Sequence, residues 1–254
     1  MIFFVIPVYN EEDNIKKLLS NLSLHAEEKG WDHNICIADD GSSDATAEIA
    51  GSMRKDIPLE VVSNKVNMGP GAAFDAGFRV VLSSAKPDDI IVTMEADNTS
   101  DLIVLDEMIG KIKKGADIAL ASCYAENGRV EGTTLYRAIC SRGANLLIRM
   151  ISRDKRIRTV SSFYRCYRAG ILSRAYQMYG TDFIEEKGFV CAVDILLKLQ
   201  NLNARISEVP MILQCDRRIG KSKMKTMRTI ISYLKLIVRE VTRKSARIDG
   251  KNQN

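Results

Sequence analysis

Two carboxylates, Glu95 and Asp97, follow an apolar run of β-formers, Ile90-Ile91-Val92-Thr93-Met94. If the strand continues through Glu95, side chains two apart point the same way, so Glu95 and Asp97 present their oxygens on one side. Paired hard oxygens suit Mg²⁺ or Mn²⁺, which bind one or two carboxylates and complete their coordination with substrate phosphates. The competing reading is a strand end leading into a helix N-terminus, where acids are favoured by the helix dipole. Two further strand ends carry polar chemistry: Pro7-Val8-Tyr9-Asn10-Glu11 after the first apolar run and Asp39-Asp40-Gly41-Ser42 after the second. Ligands of α/β sheets bind outside the carboxyl ends of strands. There Tyr9 could stack on a base, and the acids could accept hydrogen bonds from a base or ribose.

Other chemistries have little to build with. His25 and His33 are the only histidines, both expected at the surface, so a histidine metal centre or a serine–histidine triad is excluded. The six cysteines, Cys36, Cys123, Cys140, Cys166, Cys191 and Cys215, form no C-x-x-C pair and are expected as free thiols. Net charge is +5, unevenly spread: residues 1–110 carry 8 Lys and Arg against 20 Asp and Glu, and residues 111–254 carry 29 against 12. Such asymmetry suggests a basic half facing something anionic, such as phosphate, nucleic acid or a membrane surface, with a merely solvated basic surface as the alternative. Nucleic acid is the weakest of these, because the chain has no nucleic-acid motif and its acidic strand ends would repel a phosphate backbone unless metal intervened. A nucleotide- or nucleic-acid-binding module without catalysis is the alternative from another class.

The elements that must hold these residues alternate. Apolar runs at 2–8, 35–38, 59–63, 90–95 and 118–122 read as strands. Between them lie helical patterns such as Ile15, Leu18, Leu19 and Leu22 on one face, with Asn10 a candidate N-cap. Alternation over 1–122 argues for an α/β fold, a Rossmann-like mostly parallel sheet with helices on both faces. No glycine-rich fingerprint follows the first strand, and Gly69-Pro70-Gly71 lacks the dinucleotide spacing, which argues against a dehydrogenase.

The second half alternates less cleanly. A helix is expected over 135–151, a strand over 161–168, a short helix around 171–178, a helix over 189–202 and a strand over 205–209. A basic loop, Asp216–Lys223, leads to a last helix over about 225–243. Met227, Ile231, Leu234, Val238 and Val241 lie on one face of that helix, flanked by Arg228, Lys235 and Arg239. Such a face suits an anionic membrane surface, packing on the domain, or a second copy. No apolar run reaches the roughly 18–20 residues of a membrane span. The N-terminus lacks a basic region before its apolar stretch and reads as a strand rather than a signal peptide. Cytoplasmic placement is expected, peripheral at the cytoplasmic face of a membrane.

The ordered set PVYNEEDNI (7–15), ADDGSSDAT (38–46), NMGPGAAFDAGF (67–78), MEADNTSD (94–101), SFYRCYR (162–168), EKGFVCAVDILLKL (186–199) and EVPMILQCDRRIGKSKM (208–224) resembles family 2 glycosyltransferases of GT-A fold. More narrowly, it is similar to the polyprenyl-phosphate (dolichol-phosphate) mannose synthase group. The resemblance implies an inverting, metal-dependent transfer of sugar from a GDP- or UDP-sugar to a polyprenyl phosphate, with a saccharide or another lipid as the alternative acceptor. It also implies a GT-A domain over 1–224, with a nucleotide-sugar half (1–122) and an acceptor half (123–224), followed by an amphipathic basic helix and tail (225–254).

By the same resemblance Pro7, Tyr9 and Glu11 line the nucleotide pocket, and Asp39 or Asp40 contacts base or ribose. Asp97 is the main ligand of Mg²⁺ or Mn²⁺, with Glu95 at the second acidic position. Arg217, Ser222 and Lys223 contact diphosphate or acceptor phosphate, Arg217 acting in catalysis. The chain departs from the family pattern in having Glu-Ala-Asp for Asp-Ala-Asp and Thr99 where a glutamine often assists the metal. Asp194, on the 189–202 helix, is the candidate general base for a hydroxyl acceptor; its other readings are an acid on the polar face of an amphipathic helix and a structural partner of an arginine.

Overall fold

The computed structural model describes residues 1–217 and 226–251. Seven strands form one sheet in the order β3-β2-β1-β4-β7-β5-β8. Strands β1 (Ile2–Val8), β2 (His33–Asp39), β3 (Leu59–Ser63) and β4 (Ile90–Thr93) run parallel, and β8 (Ile206–Pro210) is parallel to β5 (Ile118–Ser122). Strand β7 (Arg165–Arg168) is antiparallel to both β4 and β5. A separate parallel pair joins β6 (Arg129–Glu131) to β9 (Ile212–Gln214). This is the GT-A arrangement of a mostly parallel sheet sandwiched by helices.

The first strand shows why the sheet sits centrally. Its sequence IFFVIPV has no polar side chain, as a strand covered on both faces requires. Phe3 and Val5 join a cluster with α3 (Pro70–Leu82), α6 (Ala169–Tyr179) and α7 (Cys191–Asn201). Phe4 and Ile6 face the other way, into α1 (Glu12–Glu28) and α4 (Leu102–Lys113). Helix α2 (Thr46–Ser52) packs on α1. Burial of the aliphatic and aromatic side chains in these two layers contributes about 1.5–3 kcal/mol each.

Helices α5 (Leu135–Ile151) and α8 (Thr226–Lys251) pack against each other. Leu236 of α8 is fully buried, and Tyr233 and Ile237 lean on the α7 layer. The stripe of Ile231, Leu234, Val238 and Val241 points the other way and is at least half exposed. On α5, Ile148 and Ile151 are buried, whereas Leu146, Leu147 and Met150 are exposed. The apolar seam read from α8's sequence is therefore its outward face, and other side chains do the docking.

Two further expectations change. His33 is buried, its Nδ1 3.2 Å from the Trp31 carbonyl oxygen and its ring edge-on to Phe4. His25 is only slightly exposed and pairs with Asp106 at 2.8 Å. His33 is thus buried rather than at the surface, and His25 is half-buried against Asp106. Cys36, Cys123, Cys166, Cys191 and Cys215 are free thiols, and burial pushes the Cys36 thiol up to about 12. A thiol so placed packs as a small apolar group.

Candidate active site at the carboxyl edge of the sheet

Because β1 to β4 are parallel, their carboxyl ends open on one edge. Strand β1 lies between β2 and β4, so the chain switches direction across the sheet there, and a crevice opens beside β1. Pro7, Tyr9 and Glu11 sit half-buried at this edge. Val8 is in register with Asp39, and the Asp40 amide donates to the Val8 carbonyl at 2.9 Å.

Side chains staple the first two loops together. Asn10 has a left-handed backbone (φ 53°), a conformation asparagine tolerates better than most residues. Its amide donates to Ser42 Oγ at 2.9 Å, and its Oδ1 accepts from the Ser43 amide at 2.8 Å. Asn10 is therefore a bridge between loops rather than the expected cap; α1 starts at Glu12 without a side-chain cap. Glu11 Oε2 accepts from Asn14 Nδ2 at 2.8 Å, and Asp39 Oδ1 accepts from the Ser42 amide at 3.1 Å.

Asp40, expected as an alternative nucleotide contact, is buried and engaged within the protein. Its Oδ1 accepts from Asn64 Nδ2 and the Met68 amide, both at 2.9 Å, and its Oδ2 accepts from the Gly69 amide at 2.6 Å. A carboxylate with three donors converging on it fixes the turn before α3. That leaves Asp39, one residue earlier, as the better placed of the two acids for a ligand.

Strand β4 stops at Thr93, so Glu95 and Asp97 stand in the loop beyond it. The strand-periodicity argument for their common face therefore lapses, because the backbone bends at 96–98. What brings them to the edge is the loop itself. Asn98, also left-handed (φ 61°), donates to the Asn14 carbonyl at 3.2 Å and ties the loop to α1. Asp97 is 5% exposed, and its Oδ1 accepts from the Thr99 amide at 3.1 Å and from Thr99 Oγ1 at 2.6 Å. Ser100 Oγ lies 3.4 Å from Glu95 Oε2. Thr99 thus orients the carboxylate of Asp97.

No group of three or more His, Cys, Asp or Glu side chains suited to a metal occurs among the described residues. Glu95 and Asp97 offer an oxygen-only pair, one of them locked by hydrogen bonds. That set fits Mg²⁺ or Mn²⁺ with the remaining positions filled by phosphate and water.

Asp194 is the structural partner of an arginine. It is 1% exposed; its Oδ2 accepts from the Glu185 and Glu186 amides (3.0 and 3.2 Å) and from Lys198 Nζ (3.1 Å), and its Oδ1 accepts from Arg239 Nη2 (2.8 Å). A carboxylate held by two cations and two amides has no open face toward a substrate hydroxyl. Arg239 Nη1 also binds Glu186 Oε1 at 3.0 Å. Burial pushes the Glu186 carboxyl above its ordinary range, which Arg239 opposes and Asp194 and Glu185 reinforce. Arg239, read in the sequence as a lipid-facing flank, therefore turns inward.

Arg217 lies in a short turn, Cys215–Arg217, directly after β9. Ser222 and Lys223 lie outside the described residues. Arg165 went unremarked in the sequence. It is fully buried on β7 beside Thr93, donating to the carbonyls of Ala192 (2.7 Å) and Val160 (2.9 Å). Its position in SSFYRCYR, between two tyrosines in an apolar strand, is the only signal it leaves.

The model of glycosyl transferase family 2 matches residues 3–179, which spans all four strand ends of the candidate site. The chain belongs to glycosyl transferase family 2. A dolichol-phosphate mannosyltransferase of Pyrococcus furiosus is 30% identical over 92% of this chain, and the match spans 62% of that relative's length. A polyprenol monophosphomannose synthase of Mycolicibacterium smegmatis is 28% identical over 87% of this chain and 79% of its own. Among solved structures, a glucosyl-3-phosphoglycerate synthase of Mycobacterium tuberculosis, in complex with Mn²⁺, UDP and phosphoglyceric acid, superposes with a TM-score of 0.63. It is 16% identical and covers 95% of this chain and 77% of its own, a likeness of fold. In this family 2 chain the acidic loop after β4 and the tied loops after β1 and β2 are thus parts of one edge.

Proposed function

We propose that this family 2 chain transfers a hexose from a GDP- or UDP-sugar to a polyprenyl phosphate, with inversion at the anomeric carbon and with Mg²⁺ or Mn²⁺ bound. The observation that carries the reading is the loop after β4, where a buried, hydrogen-bonded Asp97 and a second acid, Glu95, share the carboxyl edge of the sheet with the loops bearing Tyr9, Glu11 and Asp39. The names of the two relatives specify mannose, with dolichol phosphate in one and a polyprenol in the other, so mannose is the first sugar to try.

In this reading Pro7, Tyr9, Glu11 and Asp39 hold the nucleoside, and Asp40 acts one step back by fixing the turn behind it. Glu95 and Asp97 hold the metal, which neutralises the donor diphosphate when bound. Arg217, Ser222 and Lys223 supply positive charge and hydrogen bonds to phosphate. An acceptor phosphate oxygen forms a bond to the anomeric carbon as the bond from that carbon to the nucleoside diphosphate breaks, from opposite sides. A phosphate acceptor is already anionic near neutral pH, so no general base is required, and Asp194 serves as an anchor. In this reading 1–122 serve as the donor half and 123–224 as the acceptor half, with the exposed stripe of α8 toward the lipid.

The lipid side is supported by exposed apolar residues on neighbouring helices, Leu146, Leu147 and Met150 on α5 and Ile231, Leu234, Val238 and Val241 on α8. No helix among the described residues is long and apolar enough to cross a membrane. Peripheral attachment at the cytoplasmic face fits such a pair, with Lys235 exposed beside the stripe to meet anionic headgroups. The test is incubation with Mn²⁺, polyprenyl phosphates and GDP- and UDP-hexoses, with the lipid fraction weighed by mass spectrometry. A glycosyl-phosphoryl-prenol is expected. Release of free sugar and nucleotide with no lipid product would remove the acceptor assignment.

A further inference from the structure

We infer that Arg239 is a positioning residue for the donor side of the site: the seating of α8 sets the geometry of the turn that backs the nucleotide pocket. The inference rests on the proposed donor site and extends it to a control from the lipid-facing helix. The chain of contacts is continuous. Arg239 binds Asp194 and Glu186. Asp194 in turn accepts from the amides of Glu185 and Glu186, which fixes the segment 185–187 on the first turn of α7.

That segment is pressed against the turn before α3. The Lys187 carbonyl accepts from the Gly71 amide at 2.8 Å. A Cβ at Gly71 would overlap the Glu186 carbonyl, and one at Gly69 would overlap the Lys187 carbonyl, so the two backbones touch with no side chain between them. Gly69 also has a φ of 98°, which glycine alone adopts readily. From the other side Asp40 grips the Met68 and Gly69 amides. Asp40 adjoins Asp39 at the end of β2, so the relay runs from α8 to the nucleotide edge through backbone contacts and buried charge.

The latch also explains a feature that lipid attachment leaves open. A helix with an outward apolar stripe needs only apolar contacts to stay docked, yet Arg239 of α8 pairs with Asp194 on α7 and with Glu186 in the segment before it. Arg239 is three-quarters buried and Asp194 almost wholly so. A charge pair in such a setting fixes direction and register more than it stabilises. Loss of Arg239 leaves Asp194 with Lys198 and two amides, so the fold is expected to survive.

Hydrogen exchange and nucleotide binding on the full chain test this. In Arg239→Met the amides of Met68, Gly69 and Gly71 are expected to exchange at least about fivefold faster, with exchange in β1 and β2 unchanged. The dissociation constants of GDP and UDP with Mn²⁺ should rise by about fivefold or more for whichever nucleotide the wild type binds, and KM for the donor should rise more than kcat falls. Arg239→Lys keeps one charge and should recover part of the effect. Unchanged exchange at residues 68–71 in a folded Arg239→Met protein would overturn the relay, as would a uniform rise across β1 and β2 in both variants. Wild-type protein that binds neither nucleotide would instead count against the donor site, while the exchange result would still decide the relay.

Discussion

Asp40 and Asp97 are both buried acids at strand ends, yet their surroundings give them different work. Asp40 receives three N–H donors from one loop, whereas Asp97 Oδ1 accepts from the amide and the hydroxyl of Thr99. Asp40→Asn replaces one acceptor oxygen with an amide that faces a backbone N–H. An unsatisfied buried group costs about 1–3 kcal/mol, which for a chain of this size lowers Tm by about 2–4 °C per kcal/mol. A thermal melt should show that loss; an unchanged Tm would mean that the turn is held by other contacts. Thr99→Val keeps the volume of the side chain but removes the hydroxyl that orients Asp97. Groups that orient metal ligands typically matter by about 10–100-fold in metal affinity. Titration of activity with Mn²⁺ should show the midpoint moving up by that order with near-normal turnover at saturation, and an unmoved midpoint would remove Thr99 from the metal's surroundings. The pairing of Thr99 with Asp97 was not legible in the sequence, where Thr99 counted only as a missing metal ligand.

At the scale of elements, the first five strands follow from apolar runs bounded by turn residues, and the structure keeps them within two residues of those bounds. The misses have physical causes. Strand β7 is inserted antiparallel between β4 and β5 by tertiary pairing, which a local pattern does not encode. The Glu95 strand end failed because β-propensity continues through Met94 while the ladder stops at Thr93. The apolar stripe of α8 was read correctly as a face, but its direction depends on Leu236, Tyr233 and Arg239, which belong to the other side of the same helix. The exposed stripe makes a further prediction. Ile231→Ser with Val238→Ser should weaken binding to vesicles of phosphatidylcholine and phosphatidylglycerol by about tenfold or more, since each apolar side chain buried contributes about 1.5–3 kcal/mol. Unchanged sedimentation with vesicles would show that this face does not meet the lipid.

Over the whole molecule, charge and chemistry are divided along the chain. In the proposed function the acidic first half would build the loops for a donor and its cation, and the basic second half would meet an anionic acceptor. That division was visible in composition; the contact joining the halves was not. It runs through Asp194, Glu186 and the two glycines of the α3 turn, residues far apart in sequence and individually unremarkable. Having no base at Asp194 fits an acceptor that arrives already charged. The most direct test of the account is therefore the choice of acceptor. Wild-type protein and Asp97→Asn are incubated with Mn²⁺, a GDP- or UDP-hexose that the wild type turns over, and either polyprenyl phosphate or the matching polyprenol, and the lipid products are weighed. The account predicts a glycosylated product from the phosphate alone, lost with EDTA and in Asp97→Asn; transfer to the free alcohol, or metal-independent transfer by Asp97→Asn, would contradict it.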